Sequence, residues 1–328
     1  MRGNITTVRR IARSLAEAGA EVAVLPVDAM TFDEMKGRLS AFSPQIIHGF
    51  HALYCGEIAR CLALSRSIPF AMTLTGSDIT DVAMREHPAT LSTLQAAARI
   101  ICFDESIAAT VGHHFPASAG RICVIPQGVS PLPLTGAPDF GRPPQKLVLL
   151  LPAALRPVKN VEFAVRALPR IPVGGQPVML AIAGGEIDPL YTAGIRRMIA
   201  GNPSVEWLGE VAYERMGDLY SRADVVLNCS RFEGMPNSLM EAMDLGRPVL
   251  AADIHGNSLL VRHNETGLLY RDEAEFIELV VRLRDEPALR ERLGACAVRF
   301  VHENFSPGRE AERYLGMYED VLRGRRPA

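Results

Sequence analysis

The sequence lacks three features: a charge excess of one sign, a long apolar run, and cysteine pairs at metal-binding spacing. With 35 Lys and Arg against 37 Asp and Glu, the formal net charge is −2, so no global basic field points to nucleic acid. No apolar stretch reaches the ~18 residues that a membrane span needs, and the first residues lack the apolar region of a signal peptide. We expect a cytoplasmic protein, and peripheral contact with a membrane stays open.

Metal-binding patterns are also missing. The cysteines form no C-x-x-C pair and no zinc spacing, and most lie in apolar runs, where Cys behaves as a small hydrophobe. No D-x-D triplet occurs in the chain, so the common carboxylate device for holding a divalent metal on a nucleotide diphosphate is missing. We expect reduced thiols, no metal site and no cofactor. The cysteines are Cys55, Cys61, Cys102, Cys123, Cys229 and Cys296.

The length and the apolar content predict two domains. A chain of 328 residues with 48% hydrophobic residues is long enough for two full cores. In its first part, TTVRRIARSLAEAGAEVAVLPV predicts a helix and then a short strand over EVAVLPV. QIIHGF, IPFAMTL, ARIICFD and RICVIPQGV predict further short buried strands. We place the first domain at residues 1–130.

A second α/β pattern follows a stretch rich in helix and strand breakers. SPLPLTGAPDFGRPPQ contains five prolines and two glycines, and we place an interdomain linker at residues 131–145. Strands are then predicted over KLVLLLPAA, VMLAIAGG, SVEWLG, DVVLNCS and RPVLAAD, with helices between them. The predicted fold class is α/β, with two doubly wound parallel sheets over residues 1–130 and 146–304. Ligands in such sheets bind beyond the carboxyl ends of the strands, so we expect a cleft between the domains.

The segment SRFEGMPNSLMEAMDLGRPVLAAD carries the strongest chemical signal. DVVLNCS predicts a buried strand that leads into the loop RFEGMP, and Pro236 or Asn237 can open the next helix. The amides of Asn237, Ser238 and Leu239 would then form an anion site at the helix N-terminus.

Two glutamates flank this helix start. Glu233 lies in the loop and Glu241 about one turn inside the helix, and carboxylates accept charge-assisted hydrogen bonds from sugar hydroxyls. Gly234 and Met235, beside Glu233, would shape the pocket for the sugar. The spacing of the two glutamates alone favours ordinary solvated glutamates on a helix face. The order of strand, Glu-Gly loop, LMEAM helix, GRPVLAAD and NETGLLY favours a ligand site.

The loop AALRPVKN supplies two cations after the first strand of the second half. Arg156 and Lys159 flank Pro157 there, and two cations in such a loop can neutralise a diphosphate as charge develops on its bridging oxygen. The alternative is a pair of ordinary surface cations.

Glycines follow two further strands of the second half. Gly184 and Gly185 follow VMLAIA, where a nucleotide can approach the backbone closely. Gly209 and Glu210, at the end of EWLGEV, offer backbone groups to a base edge. Glycine pairs after strands are common, and the second segment alone is a simple strand end.

Candidate residues of the first half are less distinctive. RGNITTV predicts either a second anion-facing helix N-terminus or a plain helix cap. TLTGSDI lies past a strand, on the side where a ligand is expected. The two histidines of IIHGFH differ, since we interpret His48 as structural and His51 as an acceptor-side candidate. The other candidates are Gly3, Asn4, Thr75, Gly76, Ser77 and Asp78.

Together these segments resemble retaining glycosyltransferases of the GT-B fold, family 4. The resemblance spans nearly the whole chain and is densest from Ala153 to Tyr270. EGMPNSLMEAMDLGRPVLA matches the Glu-x7-Glu motif of the family and its trailing EAM-x-x-G-x-PV. LRPVKN, GGEIDP, WLGE and HGN-x-x-L-V resemble a narrower subgroup, which includes the glycosyltransferase 1 domain-containing proteins and the selenosugar synthase of selenoneine biosynthesis.

The resemblance implies two Rossmann-like domains, with a nucleotide-sugar donor bound mainly by the second and an unknown acceptor by the first. It implies that Glu241 contacts the ribose, that Glu233 contacts the transferred sugar, that Arg156 and Lys159 hold the diphosphate, and that the base lies near Gly209. The donor is expected to be a UDP-sugar, used by a hexosyltransferase-type enzyme with retention and without a metal. The departing phosphate is expected to take the proton of the acceptor on the same face.

The chain departs from the family pattern at three places. Aligned on Lys159, the usual arginine position is Ala154, whereas Arg156 comes three residues before the lysine. Thr75 stands where relatives often have the His of T-L-H-G. The first strand of the family, which precedes the Gly-rich loop, has no counterpart after Met1. The resemblance also implies that the last segment, residues 305–328, forms a helix, capped by Ser306 and begun by Pro307, that crosses back to the first domain.

Other functions stay open on the sequence. A UDP-sugar epimerase of GT-B type would use the same nucleotide site without a second substrate, although Thr75 in the usual His position disfavours it. A non-catalytic nucleotide-sugar-binding protein would fit the missing strand and the shifted arginine. A nicotinamide-dependent Rossmann enzyme is disfavoured, because no G-x-G-x-x-G follows a first strand. The sugar, the acceptor and the oligomeric state are not fixed by the sequence.

Overall fold

The computed structural model describes residues 2–136 and 145–324, and it forms two compact units. Unit 1 comprises Met1–Gly128 and Phe305–Ala328, and unit 2 comprises Val129–Asn304. Most of the predicted linker, residues 137–144, lies outside the described residues. Among the described residues no helix is both long enough and apolar enough to span a bilayer. All six cysteines are free thiols.

Unit 1 is built on a parallel sheet of four strands in the order β1-β2-β3-β4. Short apolar runs form these strands, and β2 and β3 are buried along their whole length. The strands are Ile47–Phe50 (β1), Phe70–Thr73 (β2), Arg99–Cys102 (β3) and Ile122–Val124 (β4). The helices are Arg2–Glu17 (α1), Phe32–Phe42 (α2), Gly56–Arg66 (α3), Ser77–Thr80 (α4), Val82–Arg85 (α5), Pro88–Ala96 (α6) and Glu105–His114 (α7), with a 3-10 turn at Pro116–Arg121.

The strand predicted over EVAVLPV does not form. Residues 20–26 are irregular, and Val22 and Val24 are 38% and 46% exposed. A β-branched pattern needs a neighbouring strand to complete its ladder of hydrogen bonds. Among the described residues, β1 is an edge strand that pairs with β2 alone, so EVAVLPV is not paired with any strand.

Unit 2 is built on a parallel sheet of six strands in the order β10-β9-β8-β5-β6-β7. The strands are Leu147–Pro152 (β5), Val178–Ala183 (β6), Val205–Trp207 (β7), Val225–Asn228 (β8), Val249–Ala252 (β9) and Leu268–Tyr270 (β10). The helices are Val161–Ala167 (α8), Pro189–Ile199 (α9), Tyr213–Arg222 (α10), Asn237–Asp244 (α11), His255–Ser258 (α12), Glu273–Asp285 (α13) and Pro287–Asn304 (α14), with 3-10 turns at Pro157–Lys159 and Leu168–Arg170.

The strand order of unit 2 confirms the predicted doubly wound α/β fold. From β5 the chain runs outward through β6 and β7, and it then returns to the other side of β5 with β8, β9 and β10. β5 and β8 are therefore neighbours in the sheet from which the two branches leave in opposite directions, and Leu149 pairs with Val225. This is the topological switch point, where ligands of such sheets bind beyond the strand ends.

The last described helix, Pro307–Leu322 (α15), packs in unit 1 rather than in unit 2. The Ser306 side chain caps it by accepting the N–H of Arg309, as the sequence predicts. A buried ion pair joins it to α1, with Arg10 Nη1 2.8 Å from Glu310 Oε2. The same guanidinium donates to the carbonyl oxygen of Gly128 at 2.6 Å. The helix is thus an integral part of the unit 1 core.

Candidate active site

Two loops meet at the switch point of unit 2. One follows β5 and contains the turn Pro157–Lys159, and the other follows β8 and leads into α11. The backbone N–H of Arg231 donates to the carbonyl of Val158 at 2.9 Å. The Arg231 guanidinium also pairs with Glu162 at 2.9 Å. These contacts hold the loop that contains Lys159 against the loop that contains Glu233.

Lys159 and Glu233 form an ion pair where the two loops meet. Lys159 Nζ lies 2.6 Å from Glu233 Oε1, and the two side chains are only 19% and 12% exposed. The same oxygen accepts from Ser230 Oγ at 2.6 Å and from Asn228 Nδ2 at 3.2 Å. All of these donors reach Oε1, so within the described part of the chain Oε2 is left to accept from a ligand.

The surroundings of Glu233 keep it ionised. Burial raises the pKa of the Glu233 carboxyl, but the charge of Lys159 and the hydrogen bonds from Lys159, Ser230 and Asn228 outweigh burial, so the pKa lies below its usual value. The arrangement is therefore a negatively charged acceptor held beside a cation that still has N–H groups to donate.

Helix α11 begins at Asn237, directly behind this pair, as the sequence predicts. Of the three predicted amide donors, the N–H of Leu239 already donates to the Pro236 carbonyl at 3.1 Å. That contact takes Leu239 out of the predicted anion site. Asn237 and Ser238 lie in the first turn, where the positive end of the helix dipole favours an anion.

Glu241 lies on the same helix and is almost fully buried. Its Oε2 accepts from the hydroxyl of Tyr220, which is completely buried on α10, at 2.9 Å. Burial, and after it the charge of Glu241, raises the pKa of Tyr220 well above its usual value, so this hydroxyl remains a donor. Both predicted glutamates are thus directed into unit 2 rather than into solvent.

The backbone between Glu233 and α11 is closely packed. Met235 and Pro236 are buried and Gly234 is half-buried, so Met235 offers little side-chain surface for selecting a sugar. A Cβ on Gly256 would lie 2.2 Å from the Glu233 carbonyl oxygen and 2.4 Å from that of Gly234. The glycine of the HGN segment is therefore required for α12 to approach this loop.

Arg156 differs from Lys159 in its surroundings. It directly precedes the Pro157–Lys159 turn and is exposed. No hydrogen bond or ion pair holds its guanidinium within residues 2–136 and 145–324. Ala154, the position of the family arginine, is half-buried next to Leu155, whose N–H donates to the Gly185 carbonyl at 2.9 Å.

Gly184 and Gly209, the two glycines predicted to lie near the nucleotide, are hydrogen-bonded to each other. The N–H of Gly184 donates to the Gly209 carbonyl at 2.7 Å, and Gly209 has a φ of 71°, which favours glycine. A Cβ on Gly184 would lie 2.0 Å from the Ala153 carbonyl oxygen. The close approach of the β5 and β6 ends therefore explains Gly184 without a nucleotide. Glu210 follows as an exposed residue.

In unit 1, Asp78 organises the loop predicted to face an acceptor. Its fully buried carboxylate accepts the N–H groups of Ala52 at 2.9 Å, Thr75 at 3.0 Å and Gly76 at 3.0 Å. Asp78 therefore binds its own backbone and does not offer its oxygens to a ligand. The loop that it holds presents Ser77, which is half-buried.

The two histidines of the IIHGFH segment differ in their surroundings. His48 bridges Tyr318 Oη at 2.6 Å and Thr73 Oγ1 at 2.7 Å, and burial lowers its pKa to about 3, so it is a neutral structural residue. His51 has a φ of 77°, and its Nε2 lies 3.3 Å from Ser77 Oγ. The structure thus brings His51 and Ser77 together at the ends of β1 and β2.

Gly3 and Asn4 lie inside α1, which begins at Arg2. The sequence predicted that they precede the helix, and the structure places their backbone in its first turn instead. Helical periodicity alone did not indicate that the helix reaches this far back.

Several residues of the site were missed by the sequence analysis. Several of their partners lie 21 to 73 positions away in the chain, so no local motif marks them. The one available signal was an amide in the otherwise apolar strand VVLN. The missed residues are Asn228, Ser230, Arg231, Tyr220 and Asn257. Within the described ranges, no group of three His, Cys, Asp or Glu is arranged to hold a metal ion.

Comparison with known proteins finds similarity in unit 2 and along the whole chain. Residues 146–286 match the family model described as glycosyl transferases group 1, a range that includes Lys159, Glu233 and Glu241. The chain is 28% identical over 325 residues to glycosyltransferase 1 domain-containing protein 1 of Xenopus tropicalis, covering 95% of this chain and 92% of that protein.

Solved structures share the fold. Sucrose-phosphate synthase from Thermosynechococcus elongatus aligns with a TM-score of 0.77 at 19% identity, over 99% of this chain and 94% of that chain. Anabaena HepE, in complex with UDP and glucose, aligns with a TM-score of 0.74 at 16% identity, over 88% of this chain and 81% of that chain. The chain therefore has the α/β fold of the GT-B glycosyltransferases, and residues 146–286 of its sequence are similar to the glycosyl transferases group 1 family model.

Proposed function

We propose that this protein is a metal-independent, retaining hexosyltransferase that takes a sugar from a UDP-sugar. The observation that carries the proposal is the Lys159–Glu233 pair at the β5–β8 switch point, 2.6 Å between Nζ and Oε1. A cation and a carboxylate are held there side by side at the start of α11. A nucleoside diphosphate sugar has a matching pair of groups, an anionic diphosphate joined to a hydroxyl-rich ring.

The diphosphate binds Lys159 and the first turn of α11. Lys159 uses one N–H for Glu233 and has others for a phosphate oxygen, and the helix dipole adds positive potential at Asn237 and Ser238. Arg156, exposed on the adjacent turn, supplies a second and weaker contact from solvent. The charge that develops on the leaving phosphate is met by groups already in place.

The two glutamates hold the two ends of the donor. Glu233 accepts sugar hydroxyls through Oε2, since Oε1 is occupied by Lys159, Ser230 and Asn228. Glu241, held by Tyr220, accepts the ribose hydroxyls, and the base lies toward Gly209 and Glu210. UDP is the proposed nucleotide because Anabaena HepE, of the same fold, was solved with UDP and glucose.

The proposed reaction breaks the bond between the anomeric carbon and the phosphate oxygen. The acceptor atom forms its bond on the face that the phosphate leaves, and the departing phosphate takes the acceptor proton. No side chain of the described site needs to act as a nucleophile. We propose that unit 1 holds the acceptor with the loop of Thr75, Gly76 and Ser77 and with His51.

The test is turnover of nucleotide sugars by the full chain. UDP-glucose, UDP-N-acetylglucosamine and ADP-glucose are incubated with candidate acceptors and without them, and nucleotide release and the anomeric configuration of the product are followed by NMR. Release of UDP with a retained anomer supports the proposal. Isomerisation of the sugar without UDP release would favour an epimerase, and binding without any turnover would favour a non-catalytic protein.

The variant Lys159→Ala tests the proposed site in the same turnover assay. We expect it to lower UDP release by at least tenfold, because a positive charge at the leaving phosphate is lost. Lys146→Ala, a half-buried lysine of the same unit that precedes β5, is the control and should keep wild-type turnover. Wild-type turnover of Lys159→Ala would contradict the proposed site.

A further inference from the structure

Two buried amide side chains lie behind Glu233. Asn228 ends β8 and Asn257 lies in α12, 29 residues later in the chain. Asn228 is 4% exposed and Asn257 is completely buried. Both are buried, so any part they take in sugar transfer must act through another residue.

The hydrogen bonds fix the direction in which the Asn228 amide points. Its Oδ1 accepts from the N–H of Ser230 at 3.0 Å and from Asn257 Nδ2 at 3.3 Å. Its Nδ2 is therefore directed to the other side, where it donates to Glu233 Oε1 at 3.2 Å. Asn257 is oriented in turn, because the same Nδ2 also donates to the Ala252 carbonyl at 2.8 Å.

Packing places α12 against the same loop. The Cβ that Gly256 lacks would clash with the carbonyl oxygens of Glu233 and Gly234. Asn257, the next residue, is thus held at a constant position relative to the Glu233 backbone. The HGN segment therefore supports Glu233 in two ways. Gly256 packs against the main chain of Glu233, and the Asn257 side chain donates to the Asn228 side chain, which donates to Glu233.

A purely space-filling role does not explain the amide of Asn257. Its Oδ1 is buried, and within the described part of the chain no hydrogen-bond donor reaches it. An unsatisfied buried acceptor is destabilising, and an apolar side chain of similar volume would avoid it. What the amide adds is the donor that it directs at Asn228.

We infer that Asn257 is a positioning residue that acts through Asn228 to hold Glu233 Oε1, so that Oε2 faces the transferred sugar. The inference rests on the proposed function. Without the Asn257 donor, Asn228 Oδ1 keeps only the N–H of Ser230, so the Asn228 amide is held less firmly and its donation to Glu233 Oε1 weakens. Glu233 is then less firmly directed at the sugar, while the nucleotide contacts stay in place.

The experiment compares binding of UDP with binding of UDP-glucose and UDP-N-acetylglucosamine by calorimetry. The gain in affinity that the sugar adds to UDP measures the Glu233 contact. For Asn257→Leu we expect this gain to fall about tenfold, since a hydrogen bond held on a charged group is lost, and UDP affinity to stay within about twofold. The control is Asn202→Leu, which removes a half-buried amide of unit 2 whose Oδ1 accepts from the N–H of Ser204, and it should leave both affinities unchanged.

A double-mutant cycle shows whether the effect passes through Glu233. In a Glu233→Gln background, Asn257→Leu should cause no further loss of the sugar contribution. An equal loss for UDP and for the UDP-sugars, an additive loss in the cycle, or no loss at all would each overturn the inference. Should Asn257→Leu fail to fold, Asn257→Ser is judged by the same outcomes.

The proposed function and the inference fail in different ways. If the wild-type protein binds no UDP and no UDP-sugar, both are wrong. If it prefers a UDP-sugar over UDP and loses that preference in Glu233→Gln but not in Asn257→Leu, the inference alone is wrong.

Discussion

Replacing Lys159 by Met should destabilise unit 2, and the loss should depend on pH. The substitution keeps most of the side-chain volume and removes the cation next to Glu233 Oε1. Ser230 and Asn228 still donate to that oxygen. The carboxylate then stays in a mostly buried position with hydrogen bonds but without a counter-charge.

The size of the effect follows from the burial of the pair. Breaking a fully buried ion pair costs about 3–5 kcal/mol, and breaking an exposed one about 0–1 kcal/mol. With the two side chains 19% and 12% exposed and two neutral donors still in place, we expect about 2 kcal/mol at neutral pH.

The sign of the pH dependence follows from the pKa of Glu233. In the wild type this pKa lies below its usual value, so its stabilising contribution is present above the unfolded pKa of about 4.3 and is lost as the pH falls through the folded pKa. Without Lys159, burial dominates and raises the pKa of Glu233. The folded variant then binds a proton more readily than the unfolded chain, so the stability gap to wild type should narrow as the pH falls from 7 toward 5.

Trp207 allows the measurement to be confined to unit 2. It is the one tryptophan of the sequence, on β7, where its Nε1 donates to the Gly184 carbonyl at 2.9 Å. Urea unfolding followed by its fluorescence should show the gap for Lys159→Met and none for Lys146→Met. The double variant Lys159→Met/Glu233→Gln lacks the titrating carboxyl and serves as the control. A stability gap for Lys159→Met that is absent, or that is as constant across this pH range as the gap of the double variant, would refute the reasoning about Glu233.

Three further predictions concern the same site. Glu241→Ala should weaken UDP binding about tenfold or more, because the ribose loses a charged acceptor, and an unchanged dissociation constant in calorimetry would count against it. Incubation with EDTA should leave UDP release intact, and a requirement for added metal would show that the donor is held differently. Gly256→Ala should abolish most of the turnover while Trp207 fluorescence stays native, since its methyl group would press on the Glu233 carbonyl; full activity would mean that this loop adjusts freely.

The fold was largely predictable because parallel α/β units carry local signals. Short apolar runs marked most of the strands from β1 to β9. The breaker-rich stretch at residues 131–145 was predicted to separate the domains, and unit 2 begins at Val129. The short strand β10, Leu268–Tyr270, was missed because its residues were considered only as part of the NETGLLY motif and because the strand is only three residues long. The failure at EVAVLPV has the opposite cause, since a good β pattern forms no strand without a neighbour.

The charged residues of the candidate site could be proposed from the sequence, but the residues that hold them in place could not. Glu233, Glu241 and Lys159 stand in motifs that the sequence shows directly, and the structure brings Lys159 and Glu233 together across 74 residues. Tyr220 reaches Glu241 from helix α10, and Asn257 reaches Asn228 from helix α12. Such partners depend on strand order, which a single sequence does not encode locally.

The most direct test of the account is a crystal structure of the protein with UDP bound. We predict that the diphosphate lies within hydrogen-bond distance of Lys159 Nζ and of the first turn of α11, with the ribose on Glu241. A nucleotide bound away from the β5–β8 strand ends, or a diphosphate that leaves Lys159 paired with Glu233 alone, would contradict it.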